Sequence, residues 1–336
     1  MPVDSAIISL LKLNPSNVSS SRASSAGGSA TSTSSITATL ADGTEKKYFL
    51  KMGKGVEAEV MSMGEHESLT AIHNIVPTLC PQSYGHGELA DTPGQFFLIT
   101  DFIDFSPRSS SSPQARSQTL AHKLAKLHTT PAPTPAGYLK PQFGFSVPTC
   151  CGNTPQPNTF TSSWADFYAN HRLRFIDAQS KKSNGTDKQL EEIIAQTCTI
   201  LVPRLLGDKH LKHGKGVTPV VVHGDLWSGN ASLGTLPRMA GPEEIVYDSS
   251  AVYAHSEYEL GIMQMFGGFG REFLAEYHGL VPKTSPEEEY EDRVKLYEVF
   301  HHLNHYAMFG SAGYKRGAIR IMEDLLGRYG GSVGET

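Results

Sequence analysis

Apolar and polar residues alternate from Ile36 to Leu40, break at Asp42-Gly43, and resume as KYFLKM over Lys47–Met52. A period of two puts successive side chains on opposite faces of a strand, and Asp-Gly between two such runs is a strong hairpin signal. The spacing then turns helical over Val56–His73, where Gly64 weakens the helix by roughly 1 kcal/mol. Gln95–Thr100 (QFFLIT) reads as a short apolar strand. Leu120, Leu124 and Leu127 mark one face of a helix that must stop before Pro131. A Pro-rich connection runs from Thr129 to Pro141, and helices are expected over Trp164–Ile176 and Leu190–Leu206. Val220–Val222 and Ile245–Tyr247 read as short buried strands. Leu296, Val299, Phe300, Leu303 and Ala307 recur with the stripe of an amphipathic helix.

Strands come first and helices dominate afterwards. This order predicts an α+β chain with a small sheet-rich lobe over residues 1–103 and a larger helical lobe over 104–336, without internal repeats.

Composition narrows the function. The 336 residues are 39% hydrophobic and 19% charged, ordinary for a globular protein, and a net charge of -5 gives no reason to expect a nucleic-acid partner. No apolar run approaches the ~18 residues that a membrane helix requires. The stretch Ala6–Leu13 is broken by Ser9 and Lys12 and has no basic leader, so it suits a docking helix using Leu10, Leu11 and Leu13 better than a secretory signal. Cys80, Cys150, Cys151 and Cys198 are too few and too irregular for a disulfide framework or a zinc site, which points to a reducing, cytoplasmic setting. Residues 16–35 are mostly Ser, Thr, Ala and Gly. By composition they form a linker; by position, flanking the hairpin, they suit a ligand-covering loop equally well.

The most informative segment is His223-Gly224-Asp225-Leu226-Trp227-Ser228-Gly229-Asn230, directly after VVV. Asp followed five positions later by Asn is the spacing of a kinase catalytic loop. There, a carboxylate accepts the proton of a substrate hydroxyl and an amide oxygen ligates Mg²⁺. Taken alone, HGD is as readily a turn after a strand. Asp248, at the end of the next strand, supplies the second metal-binding carboxylate that such chemistry needs. Lys51 ends KYFLK ahead of a helix carrying Glu57, Glu59, Glu65 and Glu67, and a strand lysine steadied by a helix glutamate holds ATP phosphates in kinases. Spacing does not choose among the four glutamates, and a strand lysine by itself is usually solvated. Gly27-Gly28 could lay backbone amides over phosphates or belong to a linker. Asp101-Phe102-Ile103 would connect the lobes, where main-chain groups can meet adenine. His301, His302 and His305 lack HExxH or nearby cysteines, so helix packing is favoured over a metal site. No GxSxG supports a serine hydrolase.

The segments YFLKM, GEHESLTAI, FGFSVPTCCG, SWADFYANHRL, HGDLWSGN, YAHSEYELGIMQMFGGF, YHGLVPK and FHHLNHYAMFGSAGY resemble the fructosamine-kinase family, which phosphorylates ketosamines and shares the bilobal fold of aminoglycoside phosphotransferases and protein kinases. The likeness runs from about Phe49 to Leu326. It implies Asp225 as catalytic base, Asn230 and Asp248 as Mg²⁺ ligands, Lys51 as the phosphate lysine with Glu65 as its partner, and Asp101–Ile103 at adenine. It also implies Trp227 and His255 in the sugar pocket. The implied reaction is phosphorylation of O3 of a ketosamine on a glycated lysine by ATP, after which the unstable 3-phosphate is shed and the amine restored. Two departures stand out. YDSS replaces the more usual proline after the aspartate, and the Ser-rich loop lacks the cysteine that many members carry. A monomer or weak dimer is therefore expected rather than a disulfide-linked one. Alternatives on the same residues are a kinase of a free metabolite or aminoglycoside, and a non-catalytic nucleotide-binding protein.

Overall fold

The computed structural model describes residues 2–21, 24–25, 31–105 and 118–332; Gly27 and Gly28 lie outside them. The N-terminal part contains α1 (Ser5–Leu11), β1 (Val18–Ser20), β2 (Ser24–Ser25), β3 (Ser32–Thr39), β4 (Glu45–Lys54), α2 (Val56–Ile75), β5 (Ser83–Glu88) and β6 (Gln95–Asp101). Five strands form an antiparallel sheet in the order β1-β3-β4-β6-β5, with β2 added on β3. At the predicted hairpin, the Thr44 N–H donates to Asp42 Oδ1 at 2.9 Å and Gly43 takes φ 82°, a left-handed turn open to glycine. The strand β3 begins at Ser32, inside the stretch whose composition suggested a linker, because Ser32–Ser35 pair in register with Met52–Phe49. Tertiary pairing overrides a weak local propensity there.

Ile36, Ala38, Tyr48, Leu50, Phe97 and Ile99 fill the N-lobe core. Helix α1 docks on it as expected: Leu11 and Leu13 pack against this core and Ile7 is buried in it at 1% exposure, while Leu10 is 37% exposed. Helix α2 lies against the sheet. Gly64, weak by propensity, is explained by packing: a Cβ there would stand 2.7 Å from the Pro148 carbonyl oxygen.

After β7 (Asp104–Phe105) come α3 (Leu120–Thr129), β8 (Thr149–Cys151), β9 (Thr154–Gln156), α4 (Trp164–Tyr168), α5 (Phe175–Asn184), α6 (Lys188–Gln196), α7 (Val202–Leu206) and β10 (Val220–Val222). They are followed by β11 (Ala231–Thr235), β12 (Glu243–Val246), β13 (Val252–Ala254), α8 (Tyr258–Phe266), α9 (Arg271–Leu280), α10 (Tyr290–Phe309) and α11 (Ala312–Tyr329). Each predicted helix of this half is present, with π-helical turns joining α4 to α5 and α6 to α7. Composition predicts two strands here, Val220–Val222 and Ile245–Tyr247. The structure pairs several more, as β12-β11-β7, β10-β13 and β8-β9. Segments of two to five residues are too short to show a period. Trp164 anchors the helical core and donates its indole N–H to the Tyr297 hydroxyl at 2.7 Å.

The two lobes meet at Asp101. Its buried carboxylate accepts from Arg238, from the Tyr84 hydroxyl at 2.6 Å and from the Gln82 N–H at 3.0 Å. Arg238 also donates to the carbonyls of Pro77 and Cys80, so one guanidinium ties the end of β6 to the segment after α2. No helix among the described residues is long and apolar enough to cross a membrane.

Candidate active site

The HGD loop follows β10, and each residue in it has a structural reason. His223 is buried and accepts the Asp225 N–H on Nδ1 at 3.3 Å, so Nε2 carries the proton and donates to the Tyr247 carbonyl at 3.0 Å. Burial lowers its pKa and keeps the ring neutral. Gly224 takes φ 81°, and a Cβ there would overlap the Ser250 carbonyl oxygen, so glycine alone fits. The buried Glu259 of α8 accepts the backbone N–H groups of His223 and Gly224 and fixes the loop from behind. Gly229 lets the chain pass against the Trp227 ring, which a Cβ would overlap.

Asp225 stands at the mouth of this loop. Burial pushes its carboxyl up to about 8, with the nearby Asp248 and Glu259 adding to the effect and the Cys151 thiol opposing it. That thiol donates to Asp225 Oδ1 at 3.6 Å. Asn230 donates its amide N–H to the Asp225 carbonyl at 2.8 Å, which leaves the amide oxygen as an acceptor with no partner among the described residues.

Across the cleft, Lys51 Nζ lies 2.8 Å from Glu65 Oε2 and 3.0 Å from Asp248 Oδ1. Burial opposes the charge on Lys51, but the two carboxylates outweigh it and hold the lysine protonated, with its pKa above the ordinary value. Asp248 is opposed by burial yet held below the usual carboxylate range by Lys51. It occupies a left-handed backbone position, φ 55°, that Asp tolerates better than most residues. The turn is tied down by Tyr247 N–H to the Asn230 carbonyl, Ser250 N–H to the His223 carbonyl, and Ala251 N–H to Ser68 Oγ on α2. Thus α2 positions both Glu65 and the Asp248 turn. Of the four glutamates that spacing left open, Glu65 is the one that reaches Lys51.

Lys51, Glu65, Asp225, Trp227, Asn230 and Asp248 line one cavity of about 340 Å³. A second cavity, about 330 Å³, shares Asp225 and Trp227 and continues along Phe266, His305 and Phe309. Asp225 is therefore the wall between a charged cleft and an aromatic one. The hairpin β8–β9, which carries Cys150 to Asn153, borders both cavities. Nothing local in Thr149-Cys150-Cys151-Gly152 signals that role. Glu259 also goes unsignalled except as the one carboxylate in the largely apolar α8.

Other expected site residues lie elsewhere. His255 is 2% exposed and bonds to the Tyr297 hydroxyl and to Thr284 Oγ1, each at 2.8 Å, and it lines neither cavity beside Asp225. It is a core histidine, held neutral by burial. The Asp101 side chain is spent on the lobe clamp, and Asp101–Ile103 do not border the cavity of Lys51. Of the three helix histidines, His301 packs between the Tyr258 and Phe300 rings, His302 pairs with Glu298, and His305 lines the aromatic cavity.

A model of the fructosamine kinase family matches residues 5–328. The chain belongs to that family. It is 33% identical to the ketosamine-3-kinase of Mus musculus over 297 residues, covering 83% of this chain and 88% of that protein. Identity is 34% over 288 residues with the chloroplastic protein-ribulosamine 3-kinase of Oryza sativa subsp. japonica, covering 84% and 74%. Among solved structures, a putative fructosamine-3-kinase from Thermobifida fusca superposes with a TM-score of 0.69 at 22% identity, covering 96% of this chain and 99% of that one. An aminoglycoside phosphotransferase in complex with ADP and hygromycin B gives 0.55 at 14% identity, covering 100% of both. At those identities the structures speak for the fold alone: the bilobal kinase-like α+β fold. The fructosamine kinase described here is an ATP-dependent phosphotransferase.

Proposed function

We propose that this fructosamine kinase transfers the γ-phosphoryl group of ATP to O3 of a ketosamine, a ribulosamine or fructosamine adduct on a lysine amine. The observation that carries the reading is the position of Asp225 between the Lys51–Glu65–Asp248 cluster and an aromatic cavity. Lys51 is charged and fixed, so it can hold phosphate oxygens without reorganising. Asp225 takes the O3 proton as the new O–P bond forms and the bond from the γ-phosphorus to ADP breaks. A carboxylate raised by burial is a stronger base than an ordinary aspartate. Asn230 and Asp248 offer hard oxygen donors at the cleft wall, the set that suits Mg²⁺ when phosphates complete its shell. Bound there, the ion would neutralise charge on the transferring phosphates. Adenine would lie toward the lobe connection near Phe102 and Ile103, and the Trp227 indole, 39% exposed, offers a flat face to the sugar's C–H surface. Loss of the phosphorylated sugar would restore the lysine. The cysteines are free thiols, which suits the reducing cytoplasm.

The test is ATP consumption by the wild type and by Asp225→Ala on ribulose-lysine, fructose-lysine and unmodified lysine. Turnover with a ketosamine alone, lost in the variant, is expected. Turnover of a free aminoglycoside with none of either ketosamine would replace this reading by its nearest rival.

A further inference from the structure

The aromatic cavity holds more rings than a sugar requires. Trp227 and Phe266 stand with ring centroids 5.7 Å apart, Phe266 and His305 5.1 Å, and His305 and Phe309 5.8 Å. The four rings form a continuous wall leading away from Asp225. It remains open to solvent: Phe266 is 37% exposed and Phe309 67%. Among the described residues no lysine or arginine lines it, and Asp225 is the acidic residue in the lining. Burial lowers the His305 pKa, so that ring is neutral as well. Its Nδ1 lies 2.8 Å from the His301 carbonyl, a contact that requires the proton on Nδ1 and leaves Nε2 as a hydrogen-bond acceptor.

We propose that the Phe266–His305–Phe309 wall is a subsite for the protonated amine and alkyl arm of the acceptor, and that it selects ketosamines whose nitrogen is cationic over neutral ketoses and N-acyl analogues. The inference rests on the proposed ketosamine reaction. A secondary alkyl amine is protonated near neutral pH, and its positive charge is attracted to the negative faces of aromatic rings. The same faces bury the methylenes of the lysine arm, and the described lining is aromatic and apolar beside Asp225, with no cation among the described residues to repel an ammonium. A neutral His305 Nε2 offers that ammonium a hydrogen-bond acceptor, which a protonated ring would not.

The experiment compares ribulose-lysine with its amine-acetylated analogue, in which the sugar and arm remain and the charge is lost. Steady-state kinetics are measured for the wild type, Phe266→Leu, Phe309→Leu and Phe266→Tyr, with thermal melts to confirm folding. The wild type is expected to favour the charged substrate through KM. Phe266→Leu should raise KM for ribulose-lysine between about threefold and thirtyfold at nearly unchanged kcat, the range of an aromatic–cation contact, while KM for the acetylated analogue stays put. Phe309→Leu should act in the same sense but less strongly, and Phe266→Tyr should retain the preference. Equal efficiency of the wild type on both substrates would overturn the subsite, as would equal losses on both in Phe266→Leu. Turnover of neither ketosamine would overturn the proposed reaction itself, and the subsite with it.

Discussion

The two cavities that meet at Asp225 are nearly equal in volume, about 340 and 330 Å³, and opposite in chemistry. One is walled by an ammonium locked between two carboxylates, the other by indole, phenyl and imidazole rings. Each matches the substrate proposed for it. Phosphate oxygens carry dense charge and need fixed counter-charge, whereas a sugar face and an alkyl arm offer C–H surface that aromatic rings cover well. The fixed side is built on the sheet and α2, where Lys51 and Glu65 reach each other from adjacent elements. The aromatic side is assembled from α8 and α10 and remains partly open.

Substitutions can separate the two sides. The largest effect belongs to the shared wall: Asp225→Ala should lower kcat by about 10²–10⁴, with the KM values for ATP and acceptor little changed. A variant that loses only ATP affinity would show that Asp225 belongs to the nucleotide side alone. Lys51→Ala removes charge-assisted contacts and should cut kcat/KM for ATP by roughly 10- to 100-fold, leaving acceptor KM within about twofold. Trp227→Leu is the converse and should raise acceptor KM by about two- to tenfold with ATP KM unchanged. If each variant disturbed both substrates equally, the division into two chemistries would fail.

The smallest effect concerns Cys151, whose thiol donates to Asp225. That bond lowers the carboxyl pKa against the upward push of burial, so Cys151→Ala should raise it further. The base must be ionised to act, so the rising limb of the pH profile of kcat/KM should move to higher pH. Turnover at pH 7 should fall roughly twofold, a weak hydrogen bond's worth, and Cys151→Ser should restore it. A shift toward lower pH would show that the thiol does not stabilise the carboxylate.

The candidate site was legible in the sequence where its chemistry is local. His223 to Asn230 form one loop whose spacing fixes which side chains emerge together, and Asp248 follows in the turn after β12, one strand later than the sequence suggests. Lys51 was legible by its position on β4, but Glu65 needed either the family likeness or the fold, since Glu57, Glu59 and Glu67 share its helix. His255 shows the limit. It follows β13 in a segment that turns into α8, and nothing local reveals that its ring faces Tyr297 and Thr284 rather than the cleft. In the same way Asp101 reads as part of the lobe connection, while its carboxylate is committed to Arg238, far along the chain.

By itself the sequence determined the order of strands and helices, the helices with a clear hydrophobic period, the N-lobe hairpin and the HGD loop, because hydrophobic period and turn chemistry act over a few residues; α9 and α11 were not legible in it. The tertiary structure brings Glu65 to Lys51, as the family likeness implied and spacing did not, and it alone decided that Gly64 yields to the Pro148 carbonyl and that Phe266, His305 and Phe309 stand beside Trp227. Those contacts join distant parts of the chain, and only close packing of one element on another can select them.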